Sequence, residues 1–203
     1  MTMRPTLEDL TEAGFPMGGE PLVALDLADT VITVLDPPRD LLDDAGRADR
    51  WWALQRPRLP EGSRPEHAAT IRLRTAVRDL LDARLEGRPP AASSLADVNA
   101  FASSVPSSPQ LSFTDDGPVV SVRWHTELGG NPLLAAIAAE TIELLADPVR
   151  QERLRRCANP SCSMVFLAQS TRRLWCSSTG CGNRVRAARH YRRVRGETGA
   201  DQS

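Results

Sequence analysis

Lysine is absent from this chain of 203 residues, and all 25 basic side chains are arginine. A genome rich in G and C favours arginine codons, while the planar arginine fork also suits phosphate and guanine, so the absence alone does not decide between the two. Aromatics are scarce at 4%, yet a hydrophobic fraction of 41% is enough for a core. No long apolar run occurs. The longest, Pro132 to Ala146, is interrupted by Glu140 and Glu143 and is too short to span a bilayer. The N-terminus has no basic stretch followed by an apolar one; Pro5, Glu8, Asp9 and Glu12 break any export pattern. A soluble, cytoplasmic protein with no membrane partner is expected. Signs of an enzyme are missing too. His67, His125 and His190 are far apart with no nucleophile partner, and Gly18-Gly19 and Gly129-Gly130 are isolated pairs rather than a phosphate-binding loop.

What is present is concentrated near the C-terminus. The four cysteines, Cys157, Cys162, Cys176 and Cys181, form two C-x4-C pairs separated by thirteen residues. Two close thiol pairs a short loop apart suit one tetrahedral four-thiolate zinc. Two disulfides would need an oxidising compartment. A redox dithiol usually takes C-x2-C, which is absent, and an iron–sulfur cluster matches the paired, symmetric spacing less well. One structural zinc per chain is the expected cofactor. Four thiolates leave such a site at a net formal charge of −2, which Arg156, Arg172, Arg173 and Arg184 are placed in sequence to offset. Asn183 and Arg184 are candidates to brace the zinc turn from outside. Gly180 and Gly182 flank Cys181 and allow a tight backbone there.

The net charge of −1 hides an asymmetry: residues 1–149 sum to −10 and residues 150–196 to +11, with the last seven residues adding −2. An acidic body and a basic end suggest separate tasks, the basic end seeking a polyanion. The competing reading is that the two halves attract each other and stabilise packing. Residues 183–195 read as a helix on which Arg186, Arg189 and Arg193 fall within about 60° of one another, with Ala187, Tyr191 and Val194 as a narrow packing stripe. Arg172, Arg173, Arg184, Arg186, Arg189, Arg192 and Arg193 are therefore the candidate nucleic-acid contacts.

Upstream, a mainly helical domain with one β-hairpin is expected over 1–149, followed by the finger at 150–196 and a flexible tail at 197–203. Pro21 to Leu35 has mainly helical spacing with a β-branched end that keeps a strand open. A short helix follows around Ala48 to Gln55, with Trp51-Trp52 packing inward. The proline-rich 56–65 is a loop, and His67 to Glu86 an amphipathic helix closed by Gly87. Ser94 with Asp97 reads as a capping box opening a helix to Ala102, and 103–109 as a loop. Leu111 to Thr114, the turn Asp115-Asp116-Gly117 and Val119 to Thr126 read as a hairpin. Asn131-Pro132 starts an apolar helix to Ala146, and Asp147-Pro148 a last one reaching Arg156. Asp26, Trp51 and Arg74 are candidates for a small-molecule pocket, with a structural role in the core as the competing reading.

Arg156-Cys157-Ala158-Asn159-Pro160-Ser161-Cys162, Val165-Phe166-Leu167, Arg172-Arg173, Trp175-Cys176 and Cys181-Gly182-Asn183-Arg184 resemble the CGNR zinc finger. Val23-Ala24-Leu25-Asp26-Leu27-Ala28-Asp29-Thr30 is similar to the Leu-x-Leu-Asp-Phe/Leu-Val-Asn-Thr motif that opens the ABATE domain, with Ala28 and Asp29 in place of Val and Asn. The resemblance implies a stress-induced bacterial transcription regulator. Its finger would bind DNA, and its N-terminal domain would sense a small-molecule signal or form a homodimer. The alternative is a zinc-stapled module that binds RNA or a protein.

Overall fold

The computed structural model describes residues 6–15 and 18–195, with Leu7 and Val194 described by their backbone only. The expected tail at 197–203 lies outside the described residues. The chain opens with α1 (Leu7–Glu12), whose first turn is closed by a reciprocal Thr6–Asp9 capping box. Helix α2 (Val23–Ala28) follows, and all six of its residues are buried. A helix this short does not hold itself together and depends on what surrounds it. Its N-terminus has no side-chain cap of its own. The Ala24 N–H instead donates to Glu140 Oε2 at 3.1 Å, so one of the two acids that interrupt the apolar run serves as a cap from a distant helix.

The expected helix over 21–35 ends early. Val31–Ile32 forms β1 and pairs antiparallel with β2 (Arg39–Asp40), because the β-branched end prefers an extended backbone. Helix α3 (Ala45–Gln55) starts three residues before the expected Ala48, where Asp44 Oδ1 accepts the Arg47 N–H at 2.8 Å. Trp51 and Trp52 are buried with their rings edge to face, centroids 4.9 Å apart. A single 3₁₀ turn, Arg56–Arg58, begins the proline-rich loop. Helix α4 spans His67–Glu86 as the periodicity predicts, and Gly87 closes it at φ +66°, a left-handed conformation that glycine takes without strain.

Helix α5 (Ala92–Ser103) corrects the expected capping box. Its N-cap is Ala91, and Ser94 is buried inside the helix. Asp79 of α4 accepts the Ala91 N–H at 2.8 Å and a hydrogen bond from Ser94, while Asp97 pairs with Arg72. Packing against α4 thus supplies the cap that the local sequence was expected to provide. The hairpin is longer than expected, with β3 (Ser107–Thr114) and β4 (Gly117–Trp124) paired in register from Ser107↔Trp124 to Thr114↔Gly117. The turn shrinks to Asp115-Asp116, and Gly117 carries the positive φ of 112°.

Helix α6 (Pro132–Ala146) begins as predicted, with Asn131 Oδ1 accepting from the N–H groups of Leu133 and Leu134. It packs against α4 and α5, and α2 lies against α4 and α6. Helix α7 covers only Pro148–Arg153. The three residues expected to extend it form β5 (Leu154–Arg156), which pairs antiparallel with β6 (Val165–Leu167). Helix α8 (Asn183–Val194) ends the described chain.

Alternation along β6 joins the two halves. Val165 faces the main core with Leu154, Phe166 faces a smaller core with Cys157, Cys162, Met164, Ala168 and Cys181, and Leu167 turns back towards the main core. Among the described residues, no helix is long and apolar enough to cross a membrane.

Candidate functional site

The chain on both sides of the β5–β6 turn delivers the first cysteine pair. The Cys157 N–H donates to the Met164 carbonyl and the Cys162 N–H to the Asn159 carbonyl, both at 2.9 Å, folding the segment into one tight knuckle. A π-helical turn, Ser178–Gly182, presents Cys181, and Ser177 Oγ holds it by accepting the Gly180 N–H at 3.0 Å. The four Sγ atoms lie within 4.8 Å of one another. Cys162 and Cys176 are 3.8 Å apart, and Cys176 and Cys181 3.7 Å. Tetrahedral zinc with Zn–S near 2.3 Å sets sulfurs about 3.8 Å apart, whereas a disulfide needs about 2.05 Å. All four cysteines are free.

The electrostatics of this donor set call for a cation. Hydrogen bonds from the Cys162 and Cys176 thiols, with the backbone N–H groups of Cys176 and Asn159, push Cys157 down to about 2. The Cys162 thiol donates to that sulfur and is pushed up to about 12, and Cys176 is raised in the same way. Packed thiols cannot all ionise without a positive ion among them; a zinc ion supplies that charge, with all four thiolates as its ligands.

The expected bracing by arginines is distributed differently. Arg173 donates to the carbonyls of Trp175, Leu167 and Cys176, pairs with Glu20, and lies over the Phe166 ring at 4.5 Å. Arg156 turns away from the sulfurs to Asp82 and Glu86 of α4 at 2.9 and 3.0 Å. Arg172 and Arg184 are exposed. Arg186 donates to the Ser178 carbonyl and to Asn183 Oδ1, and lies 5.7 Å from the Trp175 ring. Asn183 therefore braces the turn by holding Arg186. Gly182 has an ordinary helical φ of −60°, so its role is spatial: an added Cβ would lie 3.4 Å from both Trp175 and Arg186.

The finger is docked onto the acidic domain by buried carboxylates, a feature that no motif announces. Asp29, at 2% exposure, accepts the Val165 N–H through both oxygens at 3.0 and 3.2 Å. Glu20 accepts the Leu167 N–H at 3.1 Å. These are the outer-edge N–H groups of β6, so two side chains stand where a further strand would otherwise lie. Arg78 completes the joint, reaching Asp29 at 3.4 Å, Asp82 at 2.9 Å and the Ser163 carbonyl at 2.9 Å. Burial raises Asp29 well above the usual carboxylate range against the pull of Arg78, and raises Glu20 to about 7. Attraction between the halves thus uses Arg156 and Arg173 of the basic segment.

Arg150 pairs locally with Asp147, but five other arginines of that segment have no such partner: among the described residues, no acidic side chain pairs with Arg172, Arg184, Arg189, Arg192 or Arg193. The expected packing stripe on α8 is not seen among the described side chains: Ala187 and Tyr191 are exposed and the side chain of Val194 is not described, while at the base Val185 is partly buried and Arg186 donates to Ser178 and Asn183. The helix projects from its first turn, because the zinc turn and the Arg186 stack hold it at one end.

Asp26, Trp51 and Arg74 do not come together around a cavity. Asp26 accepts from Arg58 at 2.7 Å, Gln55 at 3.3 Å and the Glu20 N–H at 2.9 Å. Trp51 lies in the core, and Arg74 grips Asp40 through two 2.6 Å bonds. A cavity of about 520 Å³ instead opens between domain and finger, bounded by Ile32, Leu35, Met164, Cys162, Cys176 and Arg184.

Two family models match the chain. Residues 22–148 match ABATE, whose description is "Putative stress-induced transcription regulator", and residues 153–194 match the CGNR zinc finger. No curated protein matches it. With its helical domain, its four-cysteine centre and a family model that covers more than half its length, this chain belongs to the ABATE family and carries a CGNR zinc finger.

Proposed function

We propose that this protein is a cytoplasmic transcription regulator that binds DNA through the arginines of α8, with the acidic domain as its input. The observation that carries the reading is the free face of α8. Arg189, Arg192 and Arg193 project from a helix anchored at its base by zinc and Arg186, and no acid among the described residues pairs with them. A solvated helix gains little from so many uncompensated charges, whereas a helix entering a groove or lying along phosphates uses them directly. The reduced thiol cluster suits a cytoplasmic setting.

The input has a candidate place. The cavity beside Met164 touches both the domain and three of the zinc cysteines, Cys162, Cys176 and Cys181, so a small apolar molecule bound there would meet both halves at once.

The test is a salt series. Each phosphate contact contributes about 0.9 to the slope of log affinity against log salt. Replacing Arg189, Arg192 and Arg193 together by alanine is expected to flatten that slope by about two to three units while zinc content stays at one per chain. Zinc-loaded wild-type protein with no salt-sensitive binding to any DNA would instead assign the finger to RNA or protein.

A further inference from the structure

The β3–β4 hairpin is sorted by face in a way that the domain's own core does not use. In its register Pro109 faces Val122, Leu111 faces Val120 and Phe113 faces Pro118, so these six residues share one side. The other side carries Ser108, Gln110 and Ser112 opposite Arg123, Ser121 and Val119. A two-stranded ribbon with one apolar face is the pattern of half a sandwich. Here that face is bare: Leu111 is 65% exposed, Phe113 78%, Val120 70% and Val122 56%. A lone hairpin of two strands is marginal in water, and this one leaves its apolar side uncovered.

We infer that this face is a homodimer interface, on which the hairpin of a second copy packs face to face across a two-fold axis near the central Leu111–Val120 rung. Three features favour this occupant. The face carries no charged side chain, so it offers nothing to nucleic acid or to a charged peptide. Its edges resist strand addition, because Pro109 in β3 and Pro118 in β4 each remove an N–H from the outward-facing set. The area also fits. With about 150–250 Å² for an aromatic side chain and less for Leu, Val and Pro, the exposed part of the four residues and the two prolines comes to roughly 500 Å². Two such faces together bury about 1,000 Å², where specific interfaces begin. Self-association by this face is independent of what the finger binds.

The experiment uses the full-length, zinc-loaded protein in sedimentation equilibrium from about 1 to 100 µM, the range in which an interface of this size forms. Wild type is expected to be dimeric at the upper end. Val120→Lys and Val120→Glu are each expected to weaken self-association at least tenfold, and an equimolar mixture of the two to restore a dimer, because a two-fold axis near this rung brings position 120 to its own copy. Ser121→Lys, on the polar face, is expected to remain dimeric. Hydrogen exchange on the wild type, which needs no variant to fold, should show protection of residues 109–122 that falls on dilution. A wild type that stays monomeric throughout, a dimer indifferent to both Val120 changes, or equal disruption by Ser121→Lys would each overturn the proposal.

Discussion

Replacing Asp29 should separate two roles of a buried carboxylate, hydrogen-bond acceptor and charge. Asp29→Ala leaves the Val165 N–H without an acceptor at a position where Val165 is fully buried. An unsatisfied buried donor costs about 1–3 kcal/mol. The same change takes one partner from Arg78, and breaking a buried ion pair outright costs about 3–5 kcal/mol. Arg78 is not stranded, however, since Asp82 and the Ser163 carbonyl remain, each at 2.9 Å. The expected net loss for alanine is therefore about 2–4 kcal/mol. Asp29→Asn keeps an acceptor for Val165, forgoes the 3.4 Å attraction to Arg78, and removes a charge that burial already disfavours. Its expected cost is within about 1 kcal/mol. Asparagine is also the residue that the ABATE motif carries here, and an amide oxygen can take the same N–H. Urea denaturation followed by circular dichroism gives the two costs, and the rate of zinc transfer to a chelator reads undocking of the finger directly. If asparagine proves as damaging as alanine, the charge rather than the acceptor holds the joint and the reasoning fails.

Three further expectations follow from the same geometry. Glu20 sits at about 7 in the folded chain against an ordinary 4.5, so the folded state holds the extra proton between those values. Stability should accordingly fall as pH rises through that window, by at most about 3 kcal/mol, and Glu20→Gln should flatten the dependence; an unchanged pH profile in the variant would refute the assignment. Zinc removal, a term of order 10 kcal/mol in zinc-finger peptides, should expose amides at 157–162 and 176–182 to exchange. Val165 and Leu167 should stay better protected, because Asp29, Glu20 and the main core hold them; uniform loss across 153–182 would contradict this. Arg186→Ala should speed zinc loss by removing the brace on Ser178 and Asn183, whereas Arg189→Ala should leave metal retention unchanged; equal effects in metal-release kinetics would show that Arg186 is not a brace.

The zinc centre and the long helices were legible in the sequence for the same reason: their constraints are local. Two cysteines with four residues between them in a turn reach one metal whatever surrounds them, and the apolar stripe of His67–Glu86 repeats with the helical period and ends at a glycine. Charge counting likewise located the basic segment, and the family motifs lie on contiguous residues. Sequence reasoning failed where a partner distant along the chain replaces a local one. Ser94 and Asp97 looked like a cap, but Asp79 fills that role from another helix. Glu140 interrupts an apolar run in order to cap α2, 116 residues away in sequence. Arg156 and Arg173 read as counter-charges to the zinc thiolates until the fold set them against Asp82, Glu86 and Glu20. The bare face of the hairpin was hidden in the same way, since alternation shows which residues share a side and only packing shows whether that side is covered. The sequence by itself thus determined the ligand set, the helical periods and the sign of each half, because these depend on neighbours a few residues apart. The tertiary structure alone decided which charges are consumed and which remain available, because burial and pairing are properties of the assembled chain.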